Sequence, residues 1–173
     1  RCTLCLHAEI KKIPKFILAN YTLLKILGNF CCFKAQDPKN EEKFYAIYVL
    51  ENFNFGTEGD FIKIFNRAKI FDNENLLNIH GYHTDKEENI LIIVTDFAER
   101  NLKNVVFSLD ENKAVAIMLE ICETIDFLHR EMKLIHGKIR LKNILLQKNK
   151  IKITNYWFKP QKEQSLLFFA PPE

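Results

Sequence analysis

The stretch that decides the fold is Leu134-Ile135-His136-Gly137-Lys138-Ile139-Arg140-Leu141-Lys142-Asn143-Ile144-Leu145-Leu146. It closes on a short apolar run of strand type, and Ile151-Lys152-Ile153 follows after a polar turn, so a strand pair is expected downstream. Upstream, Ser108-x-x-Glu111 has the capping-box pattern that opens a helix. That helix runs to about Met132, with Val115, Met118, Cys122, Ile125 and Leu128 or His129 along one stripe. The quoted stretch is therefore a loop between a long helix and a strand pair.

Further toward the N-terminus, residues 21–28 and Phe44 to Leu50 have strand character, separated by a polar turn at Asp37 to Lys43, in a strand, loop, strand, loop, strand opening. Phe61 to Phe71 has helical spacing through Phe61, Ile64, Phe65 and Ala68. Leu76 to His83 and Ile90 to Thr95 read as two strands joined by the acidic turn Asp85 to Asn89, and Asn101 to Phe107 as a short helix.

In this order the landmarks resemble a protein kinase. The catalytic loop of that family reads His-Arg-Asp-Leu-Lys-Pro-Glu-Asn before an apolar strand, and His136, Asn143 and Ile144-Leu145-Leu146 fall at the matching spacing. Lys138 stands where the catalytic aspartate would be. Gly28 is what survives of the glycine-rich loop, in Gly28-Asn29-Phe30-Cys31-Cys32-Phe33-Lys34. Tyr45-Ala46-Ile47-Tyr48 resembles Val-Ala-Ile-Lys, with Tyr48 replacing the lysine, and no acid lies between Phe61 and Ile70 to pair with one. Asn155-Tyr156-Trp157 takes the place of Asp-Phe-Gly, and Ala170-Pro171-Pro172-Glu173 that of Ala-Pro-Glu.

The resemblance implies an α+β, bilobal protein-kinase-like fold. Its N-lobe, five antiparallel strands and one helix, would take about residues 21–96, its hinge about 96–100, and a partial C-lobe 101–173, truncated after the Ala-Pro-Glu-like motif. Residues 1–20 would be an N-terminal extension. The tyrosine-kinase-like branch fits Val94-Thr95-Asp96-Phe97, with Thr95 as gatekeeper, and the His-Gly-Lys-Ile-Arg run is similar to that of the mixed lineage kinase domain-like pseudokinase.

Phosphoryl transfer needs a phosphate-binding cation, a metal-binding carboxylate and an aspartate that accepts the hydroxyl proton. The degenerate positions Tyr48, Asn155 and Lys138 remove all three. Asn143 is left as a weak metal ligand, better read as a tie within the loop, and His136 as a packed loop residue. Magnesium is not expected. By resemblance, Ala46 and Leu145 would sandwich adenine, and Asp96 to Ala98 would meet its edge, so ATP could be held through its base alone. Gly28, Lys34, Ala46, Thr95, Asp96, Ala98 and Leu145 are the nucleotide-site residues on that reading. Lys34 could replace the missing lysine, as in the with-no-lysine kinases. Phe30, Phe33 and Tyr48 instead put bulk where phosphates would lie, and Ser165 is the sole Ser or Thr between Asn155 and Ala170, which argues against a phosphorylation switch.

At 173 residues and 47% hydrophobic, the chain can bury one substantial core. Fifteen Phe against five Gly and five Pro point to aromatic core filling, and a formal charge of +3 demands neither nucleic acid nor membrane. Five cysteines form no paired framework, and Cys2-x-x-Cys5 with His7 lacks a second half for zinc, which favours reduced thiols and a cytoplasmic setting. No apolar run is long enough for a membrane helix. The start at Arg1 and the missing C-lobe helices suggest a fragment of a longer protein.

The expected function is a catalytically inactive kinase-like domain, a protein-interaction or allosteric signalling module with a protein partner, no required cofactor and no set oligomeric state. The alternatives are a divergent ATP-dependent serine/threonine or tyrosine protein kinase and a non-functional truncated fragment.

Overall fold

The computed structural model describes residues 14–27, 32–51 and 58–157. The chain divides into two compact units, Arg1–Phe55 with Ile79–Phe97, and Gly56–Asn78 with Ala98–Glu173.

In the first unit, β1 (Thr22–Ile26), β2 (Cys32–Asp37), β3 (Asn40–Leu50), β4 (Ile79–Asp85) and β5 (Ile90–Asp96) form a five-stranded antiparallel sheet. Its order is β1-β2-β3-β5-β4. β5 is apolar on both faces and β-branched at most positions, which suits an inner strand, and everything from Ile90 to Thr95 is buried. On one face of the sheet Phe33, Ala35, Ile47, Val49, Ile92 and Val94 share a core with Ile17. Ile17 comes from the short helix α1 (Lys15–Asn20) and has no exposed surface, so part of the expected extension is core of this unit.

The expected turn over Asp37 to Lys43 contracts to Pro38 and Lys39. Asp37 Oδ1 accepts from the Lys39 amide at 2.8 Å and Asn40 Oδ1 from that of Glu42 at 3.1 Å, two local caps that tighten the reversal. The polar residues 40–43 are the exposed start of β3, where charge is no obstacle to pairing. Leu76 and Leu77 likewise lie outside β4.

The second unit holds α2 (Glu58–Ile70), α3 (Leu102–Val105), a 3-10 turn at Val106–Ser108, α4 (Glu111–Arg130), and β6 (Arg100–Asn101), β7 (Ile144–Gln147) and β8 (Lys150–Ile153). The three strands form a second sheet with β7 central. α2 falls in this unit, not with the five-stranded sheet, and its bonds explain why. Arg67 Nη1 donates to the Met132 carbonyl at 2.7 Å, and Phe71 meets Phe127 edge-on at 6.4 Å. Leu77 N donates to the Ile153 carbonyl at 2.9 Å and Ile153 N to that of Asn75 at 2.7 Å, which draws residues 75–77 onto β8. The helix also begins earlier than the apolar spacing suggests. Glu58 and Asp60 enter its first turn, where carboxylates favour the positive end of the helix dipole, so the acid-free part is confined to Phe61 to Ile70.

The cap of α4 is Asp110, whose carboxylate accepts from the Lys113 amide at 2.8 Å. Ser108 instead donates to the Val105 carbonyl at 2.8 Å. The buried face of α4 is Ile121, Thr124 and Leu128, rotated from the expected stripe by one residue, about 100° around the axis. Val115 and Met118 are 54% and 57% exposed, and Cys122 is exposed. No described helix is long and apolar enough to cross a membrane.

Candidate functional site

The loop after α4 begins with Lys133 in the left-handed region (φ 48), which lets Leu134 N reach back to the Leu128 carbonyl at 2.9 Å. Gly137 (φ 67) turns the chain again immediately after His136. His136 is 1% exposed. Its Nδ1 accepts from the Lys138 amide at 3.1 Å, so the ring proton sits on Nε2, which donates to the Thr154 carbonyl at 2.9 Å. Burial pushes its imidazole below the ordinary histidine range, keeping it neutral. Both ring nitrogens are spent on structure.

Asn143 is held in the same way. Its Nδ2 donates to the Lys138 carbonyl at 2.7 Å, and because a carbonyl can only accept, Oδ1 must face the other direction. There Asn155 Nδ2 donates to it at 3.1 Å. The main chain of Asn143 adds two bonds, its N–H to the Arg140 carbonyl at 2.8 Å and its carbonyl accepting from Thr154 N at 3.0 Å. Asn155 has φ 66, a conformation that asparagine tolerates better than most residues. The loop and the segment after β8 are thereby laced together by His136, Asn143, Thr154 and Asn155.

This arrangement does not fit magnesium. The hard cation takes oxygen ligands, chiefly carboxylates, whereas Asn143 Oδ1 faces an N–H and no Asp or Glu occurs between Glu131 and Glu163. Lys138 is half-buried, and its ammonium has no carboxylate partner among the described residues. A cation there cannot accept a hydroxyl proton.

Tyr156 is 1% exposed and donates its hydroxyl to the Leu77 carbonyl at 3.0 Å. Burial raises its phenol well above the ordinary tyrosine value. Trp157 packs edge-on against Tyr156, ring centres 5.0 Å apart. In place of a mobile metal-binding turn this segment offers two large buried aromatics.

In the first unit, strand register puts Lys34, Ala46 and Thr95 in one row across β2, β3 and β5, and Cys32, Tyr48 and Ile93 in the next. The row Phe33, Ile47, Val94 between them faces the opposite way, toward Ile17. Lys34 Nζ lies 4.1 Å from the Phe44 ring centre and 4.4 Å from that of Phe97. Thr95 is fully buried, its Oγ1 directed at the carbonyls of Ala46 (3.2 Å) and Asp96 (3.0 Å). Asp96 Oδ1 is 2.6 Å from His80 Nε2. Tyr48 is half-buried. Ala98 and Leu145 belong to the second unit, Leu145 on β7 opposite Asn101 and Lys152. Gly28, Phe30, Ser165 and the Ala170 to Glu173 motif lie outside the described residues, as do Cys2, Cys5 and His7.

Sequence reasoning missed the Asn143–Asn155 amide pair, the rings around Lys34, the His80–Asp96 contact and the Arg67 tether. Asn155 in place of the family's aspartate, with Asn143 retained, was a signal for the first. The other three depend on register and carry no local signature.

The five-stranded sheet and the laced loop define a protein-kinase-type chain. Residues 30–164 match the family described as protein tyrosine and serine/threonine kinase, and the chain belongs to it. It is 23% identical over 154 residues to a sequence of Acanthamoeba polyphaga mimivirus that carries the name of a serine/threonine-protein kinase, covering 80% of this chain and 28% of the relative. It is 29% identical over 90 residues to Kinase suppressor of Ras B of Caenorhabditis elegans, covering 48% of this chain and 16% of that one. The maize SIRK1 kinase domain, solved with AMP-PNP, shares the fold at TM-score 0.67 and 21% identity, over 83% of this chain and 53% of the maize chain. The chain thus spans little more than a quarter of the length of the mimivirus relative and about half of the maize kinase domain.

Proposed function

We propose that the chain is a non-catalytic kinase-like domain, a pseudokinase, that works as a protein-interaction or allosteric signalling module. The observation that carries this reading is the amide pair. Asn155 presents a donor to the side-chain oxygen that Asn143 could offer a metal, and Lys138 places a cation at the position of the proton acceptor. Charge apparatus has been replaced by hydrogen bonds and packing, which preserve shape without transition-state stabilisation.

On this reading no cofactor is required and magnesium has no role. Nucleotide contact, where it occurs, is through the base. Lys34 is no substitute for the lost lysine, because its ammonium is engaged by the Phe44 and Phe97 rings. The exposed thiol of Cys122 suits a reducing, cytoplasmic environment. The deciding experiment is a phosphotransfer assay on the 173-residue chain with magnesium and with manganese, against itself and a generic protein substrate. No incorporation of phosphate is expected. Turnover that disappears in Lys34→Ala would overturn the reading and restore the divergent-kinase alternative.

A further inference from the structure

Between Glu131 and Glu163 the chain contains no acid, although the protein as a whole carries 22 Asp and Glu against 25 Lys and Arg. Outside this run acids outnumber Lys and Arg, so the basic potential is local. The cations within it are unequally employed. Lys150 pairs with Glu74, and Lys152 Nζ donates to the Glu74 carbonyl at 2.5 Å. Lys133, Lys138, Lys142 and Lys148 have no carboxylate partner among the described residues, and all but the half-buried Lys138 are exposed.

Apolar side chains alternate with them. Ile135, Ile139 and Leu141 are 68%, 40% and 42% exposed. Five side chain to backbone or backbone bonds of His136 and Asn143 fix the loop that carries this surface, so little ordering entropy would be lost when something binds it.

We propose that the loop Lys133–Lys142 is a docking surface for an acidic segment of a partner protein in which carboxylates alternate with aliphatic residues. Charge complementarity and the exposed aliphatics argue for that occupant. The loop displays no aromatic on which a base could stack, against nucleic acid, and no amphipathic helix that could lie in a lipid interface, against membrane. The proposal rests on the non-catalytic reading and names the partner class for it.

The test is fluorescence anisotropy with a labelled peptide of alternating glutamate and leucine, titrated with the 173-residue chain. Saturable binding is expected, weakened several-fold as salt rises from about 0.05 to about 0.5 M. Lys138→Glu combined with Lys142→Glu should weaken it about ten-fold, and Ile139→Ser combined with Leu141→Ser by a comparable factor. Should the first variant fail to fold, Lys133→Glu with Lys142→Glu, both at exposed positions, makes the same test. Absence of binding, binding indifferent to the charge reversals, or tighter binding to phosphatidylserine vesicles or single-stranded DNA would overturn the proposal. Phosphotransfer by the wild type would overturn the non-catalytic reading and leave the peptide result standing, so the two failures are distinguishable.

Discussion

Asn143 Oδ1 and Asn155 Nδ2 face each other as acceptor and donor at 3.1 Å, with the orientation of both amides set by the Lys138 carbonyl. Asn155→Asp therefore replaces a donor with a carboxylate opposite a carbonyl oxygen. A loss of about 1–3 kcal/mol is expected at neutral pH, as for other lost partners of a buried polar atom. Millimolar magnesium should recover part of that loss, since the substitution supplies the missing hard ligand. On the non-catalytic reading this variant shows no phosphotransfer either, because Lys138 is unchanged. Urea unfolding with and without the cation is the measurement, and unaltered stability would show that the amide pair carries no load.

His136 predicts a pH dependence. Burial lowers its folded-state pKa below the ordinary 6.5, so the unfolded chain binds the proton more readily. Its contribution is complete above pH 6.5 and declines as pH falls toward the folded value. The urea midpoint should drop between about pH 7 and about pH 5.5, and His136→Gln, lower in stability throughout, should show a shallower drop in that window. The Glu74–Lys150 pair acts in a separate window. The Lys150 ammonium holds Glu74 below 4.5, so its effect is lost only at more acid pH.

Motif order made the family visible in the sequence, because apolar periodicity and a few spaced residues survive when charges do not. β5 was legible as a strand from its Ile-Leu-Ile-Ile-Val run, since an inner strand is apolar on both faces. The long helix was legible, but its buried face was not. Two stripes run along it one residue apart, and tertiary contact selects Ile121, Thr124 and Leu128 over Val115, Met118 and Cys122. The polar start of β3 read as a turn because exposed ladder ends tolerate charge. Within the site, that Lys138, Asn155 and Tyr48 stand where the family has aspartate, aspartate and lysine was legible from residue type alone. That the two amides bond each other, and that aromatic rings surround Lys34, follows only from register and backbone conformation.

The helix α1 yields a prediction about where the folded unit begins. Ile17 is wholly buried among Phe33, Ile47, Ile92 and Val94, so Ile17→Ala leaves a cavity against the sheet and should cost about 2–4 kcal/mol. Leu18→Ala, at a position 48% exposed on the same helix, should change stability by less than about 0.5 kcal/mol. Thermal unfolding of the two variants side by side tests this. Equal, small effects would mean that α1 is dispensable to the sheet.

Lys34 separates packing from charge. Its register partner is Ala46, and its ammonium sits over Phe44 and Phe97 at 4.1 and 4.4 Å. Lys34→Met keeps a stem of similar length and removes the cation, so it isolates the cation–π attraction, about 1 kcal/mol for the two rings together at a half-exposed site. Lys34→Arg retains a cation that stacks well on rings and should be nearly neutral. Phe97→Leu should then lower stability in the wild type by more than it does in the Lys34→Met background, because the two side chains act on each other. A double-mutant cycle by urea unfolding gives the coupling directly. A coupling indistinguishable from zero would place Lys34 in solvent, and would reopen the reading in which its ammonium is available to a phosphate.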